Sequence, residues 1–218
     1  VAERVTLVPV RVLDCTGSGT TASVVAGINW AVLNHLNYYN GLPAVMNLSL
    51  GGAQSTALDA AVKYATDNGI IVTVAAGNSS QDACRFSPAR APKAITVGAS
   101  TRLDAVAPYS NIGSCVDLFA PGSAVTSTWI KDPVTNAERT LTISGTSMAS
   151  PHVAGAAAAI WGANLQASST AVTDATLAAV SVGQLSGVPT QTPNLLLYVN
   201  SLTGPANPPP PEDSFINS

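Results

Sequence analysis

The hydrophobic pattern along the chain changes period several times, and each change marks an element. "RVTLVPVRVLD", residues 4–14, is β-branched and apolar at most positions and predicts a buried strand. Beyond the glycines at 17 and 19 the period becomes helical. Thr20 or Thr21 can cap a helix, and Val24, Ile28, Ala31 or Val32, and His35 or Leu36 recur on one face until Gly41 and Pro43 end it. "AVMNLSLGG" (44–52) predicts a second strand, "STALDAAVKYATDNG" (55–69) a helix closed by Asn68-Gly69, and "IIVTVAAGN" (70–78) a third strand, almost wholly apolar. Strands apolar on both faces, alternating with helices, predict a parallel sheet covered by helices. "AITVGAS" (94–100) continues the strands. Residues 101–144 are rich in turns, with short β segments expected at 116–119, 124–129 and 139–143. "SMASPHVAGAAAAIWGANL" predicts a long buried helix of small residues, followed by a helix near 170–181 and an apolar strand near 194–199.

This is an α/β chain of three layers, a mostly parallel sheet flanked by helices. Residues 1–203 form the domain, and the Pro-rich, polar 204–218 reads as a semi-rigid linker or tail that can lead to a further C-terminal domain. In such sheets a ligand site is expected at the carboxyl ends of the strands. Those ends carry Asp14-Cys15-Thr16-Gly17, Ser49-Leu50-Gly51-Gly52 and Ala76-Gly77-Asn78, where glycine lets backbone approach a substrate closely.

Composition narrows the classes. Of 218 residues, 46% are hydrophobic and only 10% charged, enough for a large core and too little charge for disorder. A formal net charge of −3 gives no electrostatic case for nucleic acid or an anionic membrane as partner. No apolar run reaches the ~18 residues of a membrane span. The chain opens at Val1, straight into the strand pattern, and reads as cut from something longer. Three cysteines, Cys15, Cys84 and Cys115, imply a free thiol or a lost partner.

The candidate chemistry lies in "GTSMASPHVAG", residues 145–155. Ser147 stands two residues after Gly145 at the start of a helix, where its backbone N–H is an unpaired first-turn donor and the helix dipole favours negative charge. A serine nucleophile needs a base, and the chain has two histidines. His152 is five residues on, about 500° of turn and about 7.5 Å of rise, so the two side chains point apart. His35 lies fifteen residues into the first helix, roughly 22 Å from its start at the site edge, beyond the ~3 Å a base can span. It is expected partly exposed near the helix end. The α/β-hydrolase elbow, G-x-S-x-G, fails because Ala149 replaces the second glycine and His152 precedes Asp174.

The full string resembles the nucleophile motif of the subtilisin-like serine proteases, the subtilases. "VRVLDCTGSG", "NLSLGG", "VTVAAGN", "FSPARAPKAITVGAS" and "LFAPG" extend the resemblance in the family's order over residues 1 to about 200. The likeness is greatest to the secreted proteinase K-like branch. It implies a secreted, monomeric serine endopeptidase acting on polypeptides, with no organic cofactor. Ser147 would be the nucleophile and Asn78 the side-chain oxyanion donor, although taken alone Asn78 reads as a turn residue and Ser147 as a helix cap. Gly17, Ser18 and Gly19, with Ser49, Leu50 and Gly51, match the segments that sandwich the substrate. Ala75, Ala76 and Gly77 match a wall of the specificity pocket.

The resemblance further implies a Cys84–Cys115 disulfide, a cis Ser87-Pro88 bond and a structural Ca²⁺ held by Asp117 with the carbonyls of Pro92 and Ala94. The family's motifs for the triad aspartate and histidine lie upstream and are absent here. The expected partner is therefore a missing upstream segment that carries both and a cysteine for Cys15. The chain alone is expected inactive; a non-catalytic peptide-binding fragment or pseudoprotease is the alternative. Two glycosylation sequons, at Asn47 and Asn78, read as unused, the first because its strand is buried and the second because a glycan would obstruct the oxyanion site.

Overall fold

The computed structural model describes residues 1–199. The 204–218 linker and the boundary at 203 lie outside the described residues. In chain order the elements are α1 (Thr21–Asn37), β1 (Val45–Leu48), β2 (Gly52–Ala53), α2 (Thr56–Asp67), β3 (Ile71–Ala75), a 3₁₀ turn at Ala83–Arg85, β4 (Phe86–Ser87), β5 (Ile95–Ser100), β6 (Leu118–Pro121), β7 (Val125–Trp129), β8 (Arg139–Ile143), α3 (Thr146–Ala163), α4 (Ser169–Ala178), β9 (Val180–Val182) and β10 (Leu195–Leu197).

The main sheet runs β1-β3-β5-β6-β10-β9. Its first five strands are parallel and β9 is antiparallel to β10. β3 is buried at all five positions, as its unbroken apolar run requires of a strand covered on both faces. Its side chains alternate between two packed layers: Val72 and Val74 join Val24, Ile28 and Val32 of α1 and Leu58 and Val62 of α2, while Ile71 packs on the α3 side with Val153 and Trp161. α3 meets the sheet through Ala149, Ala156 and Ala157, all fully buried; side chains this short let the helix lie close to the strands. The three-layer α/β architecture is the one the pattern predicts.

Local chemistry fixes the helix starts. Thr20 Oγ1 accepts from Ser23 N at 3.0 Å and Ser23 Oγ accepts from Thr20 N at 3.1 Å, a reciprocal cap on α1. Ser55 Oγ accepts from Leu58 N at 3.2 Å and starts α2.

Three expectations are corrected. Residues 4–14 form no strand: Val5, Leu7 and Val8 are 44%, 83% and 47% exposed. A strand needs a ladder partner, and among the described residues β1 pairs only with β3 and nothing pairs with 4–14. The segment leans instead on α1, where Ser23 Oγ donates to Val12 O at 3.0 Å and Gly27 leaves room for Val10 and Val12. His35 is buried rather than partly exposed, at 6%, because its face of α1 is the core face. Asn47 is exposed, not enclosed in a buried strand, because it sits on the edge strand.

Cys84 and Cys115 are joined by a disulfide, Cys15 is free and exposed, and the Ser87-Pro88 bond is cis. The disulfide closes a loop of 31 positions, which on the chain-entropy model stabilises the fold by about 3–4 kcal/mol. Denaturant unfolding with and without reductant is expected to differ by that amount; coincident curves would show that the crosslink contributes nothing.

Candidate active site

The carboxyl ends of β1 and β3 deliver Ser49-Leu50-Gly51 and Ala76-Gly77-Asn78 to one edge of the sheet, and α3 begins beside them. Pro151 lies inside α3 and has no N–H to donate to the carbonyl four residues back, which is Ser147 O. Ser49 Oγ supplies that bond instead, at 2.7 Å, and Ser147 Oγ donates to Ser49 O at 3.3 Å. The proline that interrupts the helical ladder thus opens the point where the β1 end fastens to the serine. Asn47 Nδ2 donates to Ser49 Oγ at 2.9 Å, and Asn47 Oδ1 accepts from the buried Ser150 Oγ at 2.7 Å, extending the fastening into the helix.

Two donors converge beside Ser147. Asn78 Oδ1 accepts from Thr146 N at 2.8 Å and from Thr146 Oγ1 at 2.9 Å, and Thr146 Oγ1 accepts from Gly77 N at 3.1 Å. With its oxygen occupied, the Asn78 amide presents Nδ2, which has no acceptor among the described residues. The Ser147 N–H is likewise unspent, as a first-turn donor of α3 can be. A methyl group built on Gly145 would lie 3.4 Å from Asn78 Nδ2 and 3.6 Å from Ser147 N. Both donors therefore border one small space, into which a side chain at position 145 would intrude. This geometry suits an oxyanion at a helix N-terminus.

A cavity of about 260 Å³ opens next to these donors. Of the residues predicted from the sequence, Leu50, Gly51, Ala75, Ala76, Gly77, Asn78 and Ser147 line it. Phe86, Ser87 and Ala89 form a further part of the wall that sequence reasoning missed; they are brought there by the β2–β4 pairing, which two-residue strands do not announce. The lining contains no charged side chain. Ser49 is not part of the wall but holds Ser147 as described. Gly17, Ser18 and Gly19 do not line the cavity. They form an exposed turn in which Asp14 Oδ1 accepts from Thr16 N, Thr16 Oγ1 and Ser18 N, and Asp14 N donates to Ser18 O. The Thr16 hydroxyl first, then the N–H groups of Ser18 and Thr16, hold the Asp14 carboxyl below the usual carboxylate range. Gly17 takes φ +80° there, a conformation glycine adopts without strain. Among the described residues, the Gly17 carbonyl and both backbone groups of Gly19 remain unspent.

Neither histidine serves Ser147. His152 Nδ1 donates to Met148 O at 2.8 Å, within its own helix. His35 is buried at the far end of α1; burial lowers its pKa, partly offset by the Asn68 backbone, and its Nδ1 has no hydrogen-bond partner among the described residues. A shallower depression of about 420 Å³ between α1 and α2, lined by Asn29, Leu33 and Tyr64, holds no histidine, carboxylate or serine.

Pro92 and Ala94 precede β5, and Asp117 precedes its neighbour β6. Asp117 Oδ2 accepts from Thr96 N at 2.7 Å, while among the described residues its other oxygen has no partner and no Lys or Arg pairs with it. Burial pushes the Asp117 carboxyl up, opposed by the Thr96 N–H. A half-buried carboxylate with an open oxygen and no cation fits a hard cation that takes oxygen ligands. Among the described residues no three His, Cys, Asp or Glu side chains cluster, so any further ligands there are carbonyls or water.

The site thus joins a serine at a helix N-terminus, a side-chain amide beside it and an uncharged cleft, all at the carboxyl edge of a mostly parallel sheet. The chain belongs to the Subtilase family, whose sequence profile matches residues 1–195. It is 51% identical over 198 residues to the extracellular serine proteinase of Thermus sp. (strain Rt41A), covering 91% of this chain and 46% of that protein. It is 52% identical over 158 residues to alkaline serine exoprotease A of Vibrio alginolyticus, covering 72% of this chain and 28% of that protein. A crystal structure of a cold adapted subtilisin-like serine proteinase superposes with a TM-score of 0.77 at 46% identity, covering 86% of this chain and 64% of that one. The chain spans about half or less of the length of the curated relatives named here.

Proposed function

We propose that the protein is a serine endopeptidase of the extracellular medium, with Ser147 as nucleophile. The observation that carries this reading is the convergence of Asn78 Nδ2 and Ser147 N–H on one space beside the Ser147 hydroxyl. Ser147 Oγ attacks the scissile carbonyl, and the carbonyl oxygen, turning into an oxyanion, moves between the two donors. The proton on Ser147 Oγ goes to a histidine contributed from outside this chain, oriented by an aspartate from the same upstream segment. That segment also offers a cysteine to the exposed Cys15. The uncharged cavity accepts a neutral side chain of the substrate, and a carboxylate or ammonium there would be buried unpaired. Substrate backbone pairs with the unspent groups of Gly17, Gly19, Leu50 and Gly51, extending the chain as an added strand. The name of the Thermus relative and the disulfide both support an extracellular setting. Among the described residues no helix is long and apolar enough to cross a membrane.

The test is cleavage of an unfolded polypeptide by a longer form of the protein that includes the upstream segment. Cleavage that stops on treatment with a serine-directed sulfonyl fluoride supports the reading. A longer form that binds the polypeptide and leaves it intact overturns it in favour of a peptide-binding relative.

Calcium belongs to the same reading, held by Asp117 with the carbonyls of Pro92 and Ala94, where it would neutralise the half-buried carboxylate. Calcium is expected to raise the thermal midpoint of the wild type by several degrees. Asp117→Asn is expected to remove that response while leaving the midpoint in chelator unchanged or higher, since it removes a desolvated charge and keeps an acceptor for Thr96 N. An equal calcium response in wild type and variant would rule this site out.

A further inference from the structure

We propose that Asn111 is a positioning residue for the oxyanion donor, holding the turn on which Asn78 is mounted. This rests on the reading that Asn78 stabilises an oxyanion. Asn78 lies where β3 has ended and the 3₁₀ turn at 83–85 has not begun, so its neighbours have no regular ladder. Ser80 in this turn takes φ +54°, a left-handed conformation that a serine holds only when its surroundings impose it.

Ser80 itself donates to Tyr109 O and Pro108 O, and Asn111, in the same loop between β5 and β6, holds the residues on either side of it. Asn111 is fully buried. Its Oδ1 accepts from Ser79 N at 3.0 Å and from Gln81 N at 3.1 Å, its Nδ2 donates to Ala76 O at 2.8 Å, and its backbone N donates to Gly77 O at 2.9 Å. One residue thus bonds to positions two and one before Asn78 and one and three after it. The chemistry is specific: the side chain must accept twice and donate once within a few ångströms, which an amide does and an ionised carboxylate or a methyl does not. The fit is close as well. A Cβ on Gly77, itself at φ +103°, would lie 2.4 Å from Asn111 Nδ2.

Thr146 fixes the tip of the Asn78 side chain and Asn111 fixes its root. Loss of the root lets Nδ2 drift, and a misplacement of about 1 Å can cost up to about 10²-fold in rate. In the longer, active form, Asn111→Ala is expected to lower kcat about 10–100-fold with KM within about twofold. In an Asn78→Ala background the same substitution is expected to change kcat less than about threefold, because the group it positions is gone. A kcat within about threefold of wild type in the single variant, or an equal loss in both backgrounds, overturns the proposal.

Should Asn111→Ala not fold, Asn111→Asp decides. It keeps the acceptor and regains the donor to Ala76 O only when protonated, so its kcat relative to wild type is expected to rise as pH falls. A flat ratio overturns the proposal. A wild type that cuts no peptide defeats the functional reading alone. The brace is then judged by amide exchange at Ser79 and Gln81, expected at least about tenfold faster in Asn111→Ser, whose short side chain cannot reach both N–H groups, with unchanged exchange overturning it.

Discussion

Ser147→Ala in the active form is expected to lower kcat by about 10⁶, the size known from a subtilisin that lost its serine, while the fold stays intact. The two halves of that expectation have separate physical origins. The hydroxyl sits at the α3 N-terminus beside the Asn78 amide and its own N–H. No neighbouring serine substitutes for it: Ser150 Oγ is buried and committed to Asn47. Structurally, however, Ser147 is held by its carbonyl, which accepts from Ser49 Oγ at 2.7 Å and survives the substitution; the hydroxyl itself makes only a 3.3 Å contact with Ser49 O. Thermal unfolding of the variant should therefore match the wild type within a degree or two. A variant that keeps more than about a hundredth of wild-type kcat would place the nucleophile elsewhere.

Asn78→Ala carries the second largest effect, a loss of about 10²–10³ in kcat with little change in KM, again the magnitude known from the equivalent donor in a subtilisin. The donor acts on charge that exists only in the transition state, so ground-state binding is spared. Alanine also leaves Thr146 N–H and Oγ1–H without their shared acceptor, which costs about 1–3 kcal/mol of stability. Asn78→Asp separates the two roles. Its carboxylate can still accept from Thr146 and so restores stability, yet it offers an acceptor where a donor is needed, so kcat is expected to stay at or below that of the alanine variant. Peptide hydrolysis and denaturant unfolding on the same three proteins check this. A raised KM with unchanged kcat would reassign Asn78 to substrate binding.

The parts legible in the sequence were those whose cause is local. An apolar run such as 71–75 needs no neighbour to be read as a doubly covered strand, and the α3 string carries its own nucleophile position. The half-cystines and the cis proline came through the resemblance and stand in the structure; Asn78 too was picked out only by the resemblance, and the structure brings it beside Ser147. The misreadings share a different cause. Residues 4–14 have strand composition, but a strand is a pairing, and composition does not name the partner. His35 falls on the helical period shared with Val24, Ile28 and Val32, and the period itself pointed inward; its place near the helix end argued the other way, and packing won. Phe86, Ser87 and Ala89 reach the cavity through a two-residue pairing too short to show a period. Asn111 was invisible for the same reason: it lies 33 positions from Asn78 in a turn-rich stretch, and only the folded chain brings its side-chain amide to three backbone groups and its own N–H to a fourth. The role of Pro151 was missed although it stands inside the motif, because its effect is on the carbonyl four residues earlier.

The central claim is that this chain holds a nucleophile and an oxyanion site and draws its base from outside. A fluorophosphonate probe, with the labelled residue located by peptide mass spectrometry, tests it directly. The 218-residue chain alone is expected to show only background labelling, and addition of the family's upstream segment, covalently or in trans, to bring stoichiometric labelling at Ser147. Stoichiometric labelling of Ser147 in the chain alone would contradict the account, because it would require a base among residues that the structure keeps away from the serine.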